Sequence, residues 1–410
     1  MNEVLPEGWE RKLLNEFVTK VGSGITPKGG SAVYVDIGIP FIRSQNIYST
    51  GLKLDNVSYI TKDQHEKMLN SQLKPNDVLL NITGASIGRC YYLPDNFLEG
   101  NVNQHVCIIR VDNKRYNYIF LSYFLNSHLG KTQVMSLQAG GNREGLNFKQ
   151  IRAIKLLAPP LPEQKKIASI LSSIDEVIEK TTAQVAKLKD LKTSLMQELL
   201  TKGIGHSEFK DSPVGRIPVE WEVVKTGHVT KSIVPGRNKP KKFDGDIPWL
   251  TIADLNSIYV HASTKKLGVS RNILDEAKGK TLPKNTVIMS VVGEFGISSI
   301  ASCELVINQQ LHGFVCNKKI APTFLCLILR FYKKQIEKLA TQTTIAYINK
   351  DNAESILFAL PPLDEQKKIS SSILSIDQKI TTTNQKLSAL THTKKALMQD
   401  LLTGKKRVTV

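Results

Sequence analysis

The chain contains one long passage twice. Residues 159–201 begin PPLPEQKKI and end LMQELLT, residues 361–403 begin PPLDEQKKI and end LMQDLLT, and about half of the aligned positions are identical without a gap. The offset is a constant 202 positions, from Pro159 to Pro361. Solenoid repeats have periods of roughly 20 to 50 residues, so this period is instead a whole module plus a connecting helix, duplicated. Whatever the chain does must need two similar, non-identical modules.

The stretches ahead of each repeat share landmarks but little running identity. Trp9 in LPEGWE matches Trp221 in IPVEWE, IPFIRSQNI (39–47) matches IPWLTIADL (247–255), and LKPNDVLLNITG (73–84) matches LPKNTVIMSVVG (282–293). Asn103-Gln104 corresponds to Asn308-Gln309, and LNFKQI (146–151) to INKDNA (348–353). The scaffolds are related and the surfaces differ. Each module reads as α/β, with short strands such as 78–82 and 106–111 and helical runs such as 116–125.

Each repeated segment carries a helical stripe. Ile167, Ile174, Thr181, Leu188 and Leu195 recur every seventh residue, with Leu171, Ile178, Val185 and Leu199 four residues after their partners. The second copy has Ile369, Ile376, Thr383, Leu390 and Leu397, joined by Ile373, Ile380, Leu387 and Leu401. This is a coiled-coil-like seam, interrupted at the same place in both copies by Lys192 and Lys394. Pro162 and Asp364 suit the first turns, and Gly203, Gly205 and Gly404 supply the stops. Each helix is then roughly 40 residues, or about 60 Å.

The same stripe serves equally a seam with another chain or an intramolecular pair; that one chain already supplies both partners favours the pair. With an approximate two-fold axis relating the halves, the helices run antiparallel. The expected fold class is therefore α/β (α+β): two tandem pseudo-two-fold-related modules joined by two long antiparallel coiled-coil-like helices. The expected boundaries are 1–158 for the first module, 159–203 for its helix, 204–216 for a linker, 217–360 for the second module, 361–404 for its helix and 405–410 for a basic tail.

The chain has 55 Lys+Arg against 37 Asp+Glu, a formal net charge of +18. Such an excess points to a polyanion, nucleic acid being the commonest. Except for the short tail Lys405-Lys406-Arg407, the cations are spread along the chain, which argues against a disordered basic arm. Paired duplex readers contact half-sites about one helical turn, roughly 34 Å, apart. Two different basic modules on a stiff strut predict two different short DNA words separated by an unread gap. Cys90, Cys107, Cys303, Cys316 and Cys326 form no CxxC pair and are odd in number, arguing against a zinc site or a disulfide framework and for a reducing compartment. No apolar run is long enough to span a bilayer, so a cytoplasmic protein is expected, with no membrane partner.

On the duplicated PPLPEQKKI and PPLDEQKKI, the LMQELLT and LMQDLLT ends, the joining stretch TKGIGHSEFKDSPVGRIPVEWE (201–222) and the Asn-Gln landmarks, the chain resembles the specificity subunit of type I restriction-modification systems over its whole length. The resemblance implies that the modules are target-recognition domains, each reading one half of a bipartite site in double-stranded DNA, and that the helices are the spacer. It implies two methylation subunits as partners, forming an adenine-N6 methyltransferase, and two restriction (motor and nuclease) subunits in the full complex. S-adenosylmethionine, ATP and Mg would then belong to the partners, this chain binding no cofactor and performing no chemistry. The alternative is a free-standing DNA-binding regulator.

The residues agree on chemistry. Ala158-Pro159-Pro160-Leu161 and Leu360-Pro361-Pro362-Leu363 have the wrong flanks for an amino-methyltransferase motif and read as rigid helix entries. GSGITPKGG (22–30) lacks the GK[ST] ending of a phosphate loop, and Gly130-Lys131-Thr132 lacks the glycine required upstream. Glu163-Gln164-Lys165 and Glu365-Gln366-Lys367 have a nuclease-like E-x-K spacing but sit at helix starts and lack a convincing partner carboxylate upstream; they read as solvated first-turn residues. His105 and His312 lie near the Asn-Gln pairs without a ligand cluster.

Base readout needs Arg, Lys, Asn or Gln, with cations and hydroxyls on phosphate. First-module candidates are Lys28, Arg43, Ser44, Gln45, Asn46, Thr83, Ser86, Arg89, Asn142 and Arg143. Those of the second are Arg237, Lys239, Lys241, Lys242, Thr251, Asp254, Lys265, Lys266, Arg271, Thr343, Thr344 and Tyr347. Each is also accounted for as a solvated loop residue. Because the Asn-Gln pairs occur in both modules, they read as backbone braces.

Overall fold

The computed structural model describes residues 5–27, 29–138, 145–236, 238–341 and 346–409. The chain divides into two compact units, residues 1–183 with 385–410, and residues 184–384. Each unit thus holds one α/β module, the first half of the helix that follows it and the second half of the other long helix.

In the first unit, a four-stranded antiparallel sheet has the order Val18–Ser23, Val106–Val111, Val78–Asn81, Cys90–Tyr92. Its central strands are buried on both faces over Val78–Leu80 and Val106–Ile109, which is why those stretches read as apolar runs. Alternate residues point opposite ways: Val78, Leu80, Cys107 and Ile109 pack with Phe120 and Phe124 of the helix Tyr118–Asn126, and Leu79, Val106 and Ile108 pack with Ile42 and Ile47. A second small sheet sets Ile39–Ile42 between Ser58–Ile60 and, in parallel, Asn101–Val102. The module's ends meet where Glu10–Leu13 pairs with Lys155–Ala158, delivering the chain to the long helix.

The second unit repeats this plan. Its main sheet runs Thr230–Ile233, Leu311–Cys316, Val287–Ser290, Ser298–Ala301, with Tyr259–Val260 added at the edge. Ile247–Leu250 lies between Gly268–Val269 and Val306–Ile307, and Glu222–Lys225 pairs with Leu357–Leu360. Asn76 and Asn285, at φ 69° and 68°, make the same left-handed turn into the central strand of each module, a conformation asparagine tolerates well.

The long helices are Leu161–Lys202 and Leu363–Leu402. Within the first unit, Asp175 pairs with Lys394 and Glu163 with Arg407, so residue numbers rise on one strand of the pair as they fall on the other. The helix halves there are antiparallel. Ile167 and Leu171 are buried in the first unit's core and Ile369 and Ile373 in the second's. Ile174, Ile178, Leu188, Leu195, Ile376, Ile380, Leu390 and Leu397 are half-buried. In the first helix Leu200, one residue past the stripe, is fully buried while Leu199 is half-buried; an α-helix turns every 3.6 residues, so a strict seven-residue stripe drifts off the packed face. In the second helix Leu401 and Leu402 are both buried in the first unit's core.

Candidate nucleic-acid interface and the helix anchors

The strand-to-loop junctions of the first module converge through hydrogen bonds. Asn81 sits at the centre: its backbone N–H donates to Arg89 O (2.9 Å), and its side-chain amide donates to Ser44 O (2.8 Å) and Ser86 Oγ (3.1 Å). The 43–46 and 83–89 loops are therefore tied to one buried residue. Thr83 Oγ1 lies 2.6 Å from His105 Nδ1, and Thr26 Oγ1 donates to Gln104 Oε1, bringing in the glycine-rich 22–27 segment. Cations decorate this rim. Arg43 lies over Tyr34 (5.5 Å to the ring centre), and Lys53 and Arg89 both lie over Tyr48 (4.7 and 5.2 Å).

The candidates fall into distinct groups. Arg43, Ser44, Gln45, Thr83, Ser86 and Arg89 are at least partly exposed on this rim. Asn46 is withdrawn from it: the residue is 3% exposed, its Oδ1 accepts from Arg43 N and its Nδ2 donates to Lys53 O. In the second module Asp254, 2% exposed, takes the same place. It accepts from Thr251 N and Oγ1 and from Thr264 N and Oγ1. Burial pushes its carboxyl up, but the bonds from Thr264 and Thr251 outweigh this and hold it below its usual range. Both residues brace loops rather than present a surface, a correction to their reading as contacts.

Elsewhere in the second module Lys239 lies over Phe243, 5.6 Å from the ring centre, and Lys241, Lys242, Lys265 and Lys266 are exposed. Arg271 is engaged by Glu304, and Tyr347 bridges to Val292. Lys28, Asn142, Arg143, Arg237, Thr343 and Thr344 lie outside the described residues. Asn103 and Asn308 brace identical turns, accepting from His105 N and Gln310 N at 3.1 Å each. His312 is 5% exposed with Nδ1 unpartnered, and burial pushes its pKa down to about 4.

Solvation is not the fate of Glu163 and Glu365. Glu163 is 2% exposed, accepts from Trp9 Nε1 (3.1 Å) and takes two bonds from Arg407 (2.7 and 2.9 Å). Glu365 accepts from Trp221 Nε1 (3.0 Å) and Ile204 N (2.9 Å) and lies 2.9 Å from His206 Nε2. Gln164 and Gln366 accept from Asn117 N and Ala321 N, at 2.8 Å each, and donate back to Pro159 O and Pro361 O. The repeated Glu-Gln is the bolt that fixes each helix to its module. Trp9 and Trp221 recur with it, but no local pattern joins either tryptophan to its glutamate more than 140 positions away. Gly203 and Gly404 complete these anchors at φ 69° and 73°; a Cβ would come within 2.5 Å of Glu365 Oε1 and of Pro6 Cγ respectively.

Among the described residues no cluster of three His, Cys, Asp or Glu side chains could hold a metal, and no helix is long and apolar enough to cross a membrane. The fold and its rim define a protein of two related α/β modules, each presenting polar loops, with two long helices bolted to them. A sequence model of the type I restriction modification DNA specificity domain matches residues 6–190 and again 218–392. A Methanocaldococcus jannaschii chain assigned to the MjaX type I restriction enzyme as its specificity subunit is 30% identical, over 98% of this chain and 95% of that one. The S subunit of a type I restriction-modification system from M. genitalium superposes with a TM-score of 0.61 at 14% identity, covering 97% and 98% of the two chains. The HsdS subunit from Thermoanaerobacter tengcongensis superposes at 0.51 with 18% identity, covering 99% of each. The chain belongs to the family of type I restriction-modification specificity subunits.

Proposed function

We propose that this chain is the non-catalytic DNA-reading subunit of a type I complex acting in the cytoplasm. The modules at 1–158 and 217–360 each read one half of an asymmetric bipartite site, and the helix pair sets the unread gap. Two methylation subunits dock on the chain, and two restriction subunits join through them. S-adenosylmethionine, ATP and Mg are bound by those partners, which perform adenine-N6 methylation and ATP-dependent cleavage.

One observation carries the reading: matched loop positions on a common scaffold hold different chemistry. Arg43 N and Thr251 N each donate to the loop-bracing residue three positions on, and Arg89 O and Ile297 O each accept from the central strand, from Asn81 N and Ser290 N. One module therefore offers arginines where the other offers a threonine and an isoleucine, as two readers of different words require.

The test is modified-base sequencing of DNA from cells expressing this chain with its methylation subunit, against cells lacking the chain. A chain-dependent bipartite methylated motif is the expected result. No such motif, with the partner bound and active, would favour a free-standing DNA-binding regulator.

A further inference from the structure

We infer that Arg43 and Arg89 are the guanine readers of the first module, an inference that rests on the DNA-reading function proposed above. Three other arginines of this module are committed internally. Arg110 pairs with Asp77 through two bonds of 2.6 and 2.7 Å, Arg115 donates to Glu16 O, and Arg152 donates to Asn15 Oδ1 and Val21 O. Arg43 and Arg89 make no ion pair; their guanidinium groups rest on aromatic faces.

The rim beneath them is stiff. Asn46 donates to Lys53 O and its own carbonyl accepts from Lys53 N, closing the hairpin formed by Ile47–Tyr48 and Gly51–Leu52. That hairpin presents the Tyr48 ring, and Arg89 lies over it. Asn81 in turn holds the backbone on both sides, at Ser44 and Arg89. An arginine laid on an aromatic ring keeps its N–H edge free, and that edge matches the O6 and N7 acceptors of guanine in the major groove.

The first word should therefore contain at least one G·C pair that depends on these side chains. The experiment uses the full chain with its methylation subunit and the variants Arg43→Thr and Arg89→Ile, which carry the residues of the second module. Methylome sequencing should show guanine preference relaxed at one or two positions of the first word, with the second word and the gap unchanged. Because a variant that binds too weakly would give no methylome, the wild-type complex is also titrated with duplexes carrying 7-deazaguanine at each guanine of the first word. At least one substitution should weaken binding about tenfold, and Arg43→Lys and Arg89→Lys, which keep charge but not the two-bond edge, should weaken binding to the unmodified duplex.

A first word without a G·C pair, an unchanged first word in both variants, or equal wild-type affinity for every 7-deazaguanine duplex would overturn the assignment. Absence of any bipartite motif with the wild-type chain is a different failure, that of the DNA-reading function itself.

Discussion

Lys394 Nζ lies 2.5 Å from Asp175 Oδ1, joining the second long helix to the first inside one unit, and Lys192 Nζ lies 2.6 Å from Asp377 Oδ1 inside the other. The two pairs are the same pair, shifted by the repeat. Each lysine that breaks an apolar stripe is answered by the aspartate of the opposite helix, so a polar flaw in either helix alone becomes a register mark in the pair. The surroundings differ. Asp175 also accepts from Tyr123 Oη at 2.8 Å, whereas the corresponding helix position in the second unit is Leu327 and Asp377 Oδ2 is buried without a partner.

That difference predicts unequal mutants. Lys394→Met leaves Asp175 one hydrogen bond; Lys192→Met leaves Asp377 none. The loss should be about 1 kcal/mol for the first and about 3 kcal/mol for the second, read as faster amide hydrogen exchange around 175 and 377. Adding Asp377→Asn to Lys192→Met should recover much of the loss. Equal effects of the two lysine changes would refute this account.

The Glu-Gln bolts make a second prediction. Glu365→Ala strands the donors of Trp221, Ile204 and His206, while Glu365→Gln keeps an acceptor for only part of the set. Calorimetry should show the second unit's transition destabilised by about 1–3 kcal/mol for Gln and by more for Ala. Lys367→Ala, at an exposed neighbour paired only with Asp364, should change it by less than about 0.5 kcal/mol. A similar small change for all three would return Glu365 to the solvated reading.

The helices, their stops and the duplication were legible because they rest on periodicity and on glycine, which are local signals. The role of Glu163 and Glu365 was not, because it depends on Trp9, Trp221, His206 and Arg407 arriving from elsewhere in the chain. Asn46 and Asp254 misled for a related reason: a short polar side chain beside a loop offers the same letters whether it faces solvent or caps its own turn. Strand order was likewise out of reach, since the central strands Val78–Asn81 and Val287–Ser290 are buried on both faces and so carry no alternation to orient them. Leu200 escaped because a heptad reading ignores the drift of the real helix.

His312 predicts an acid weakness confined to the second module. Its folded pKa is depressed to about 4 by burial, so the unfolded chain binds a proton below about pH 6.5 that the folded one refuses. Stability is complete above pH 6.5 and falls as pH drops from there toward 4, by roughly 2 kcal/mol at pH 5. His312→Cys, the residue at the matching position Cys107 of the first module, should flatten that fall in denaturant titrations at pH 7.5 and 5. An undiminished fall would assign the acid sensitivity to other groups.

The proposed ruler makes the last prediction. The units divide between Ala183 and Gln184 on one helix and between Asn384 and Gln385 on the other, so insertions at those two joints leave each unit's internal pairs, including Asp175–Lys394 and Lys192–Asp377, in register. Four residues inserted at each joint add about 6 Å, and four is close to one 3.6-residue turn, so the apolar faces stay aligned. With base pairs about 3.4 Å apart, the unread gap should lengthen by about two pairs while both words persist. Methylome sequencing of the doubly inserted chain reads both quantities at once. A lengthened gap with intact words identifies the helix pair as the element that sets the spacing; an unchanged gap with intact words would show that the spacing is set elsewhere.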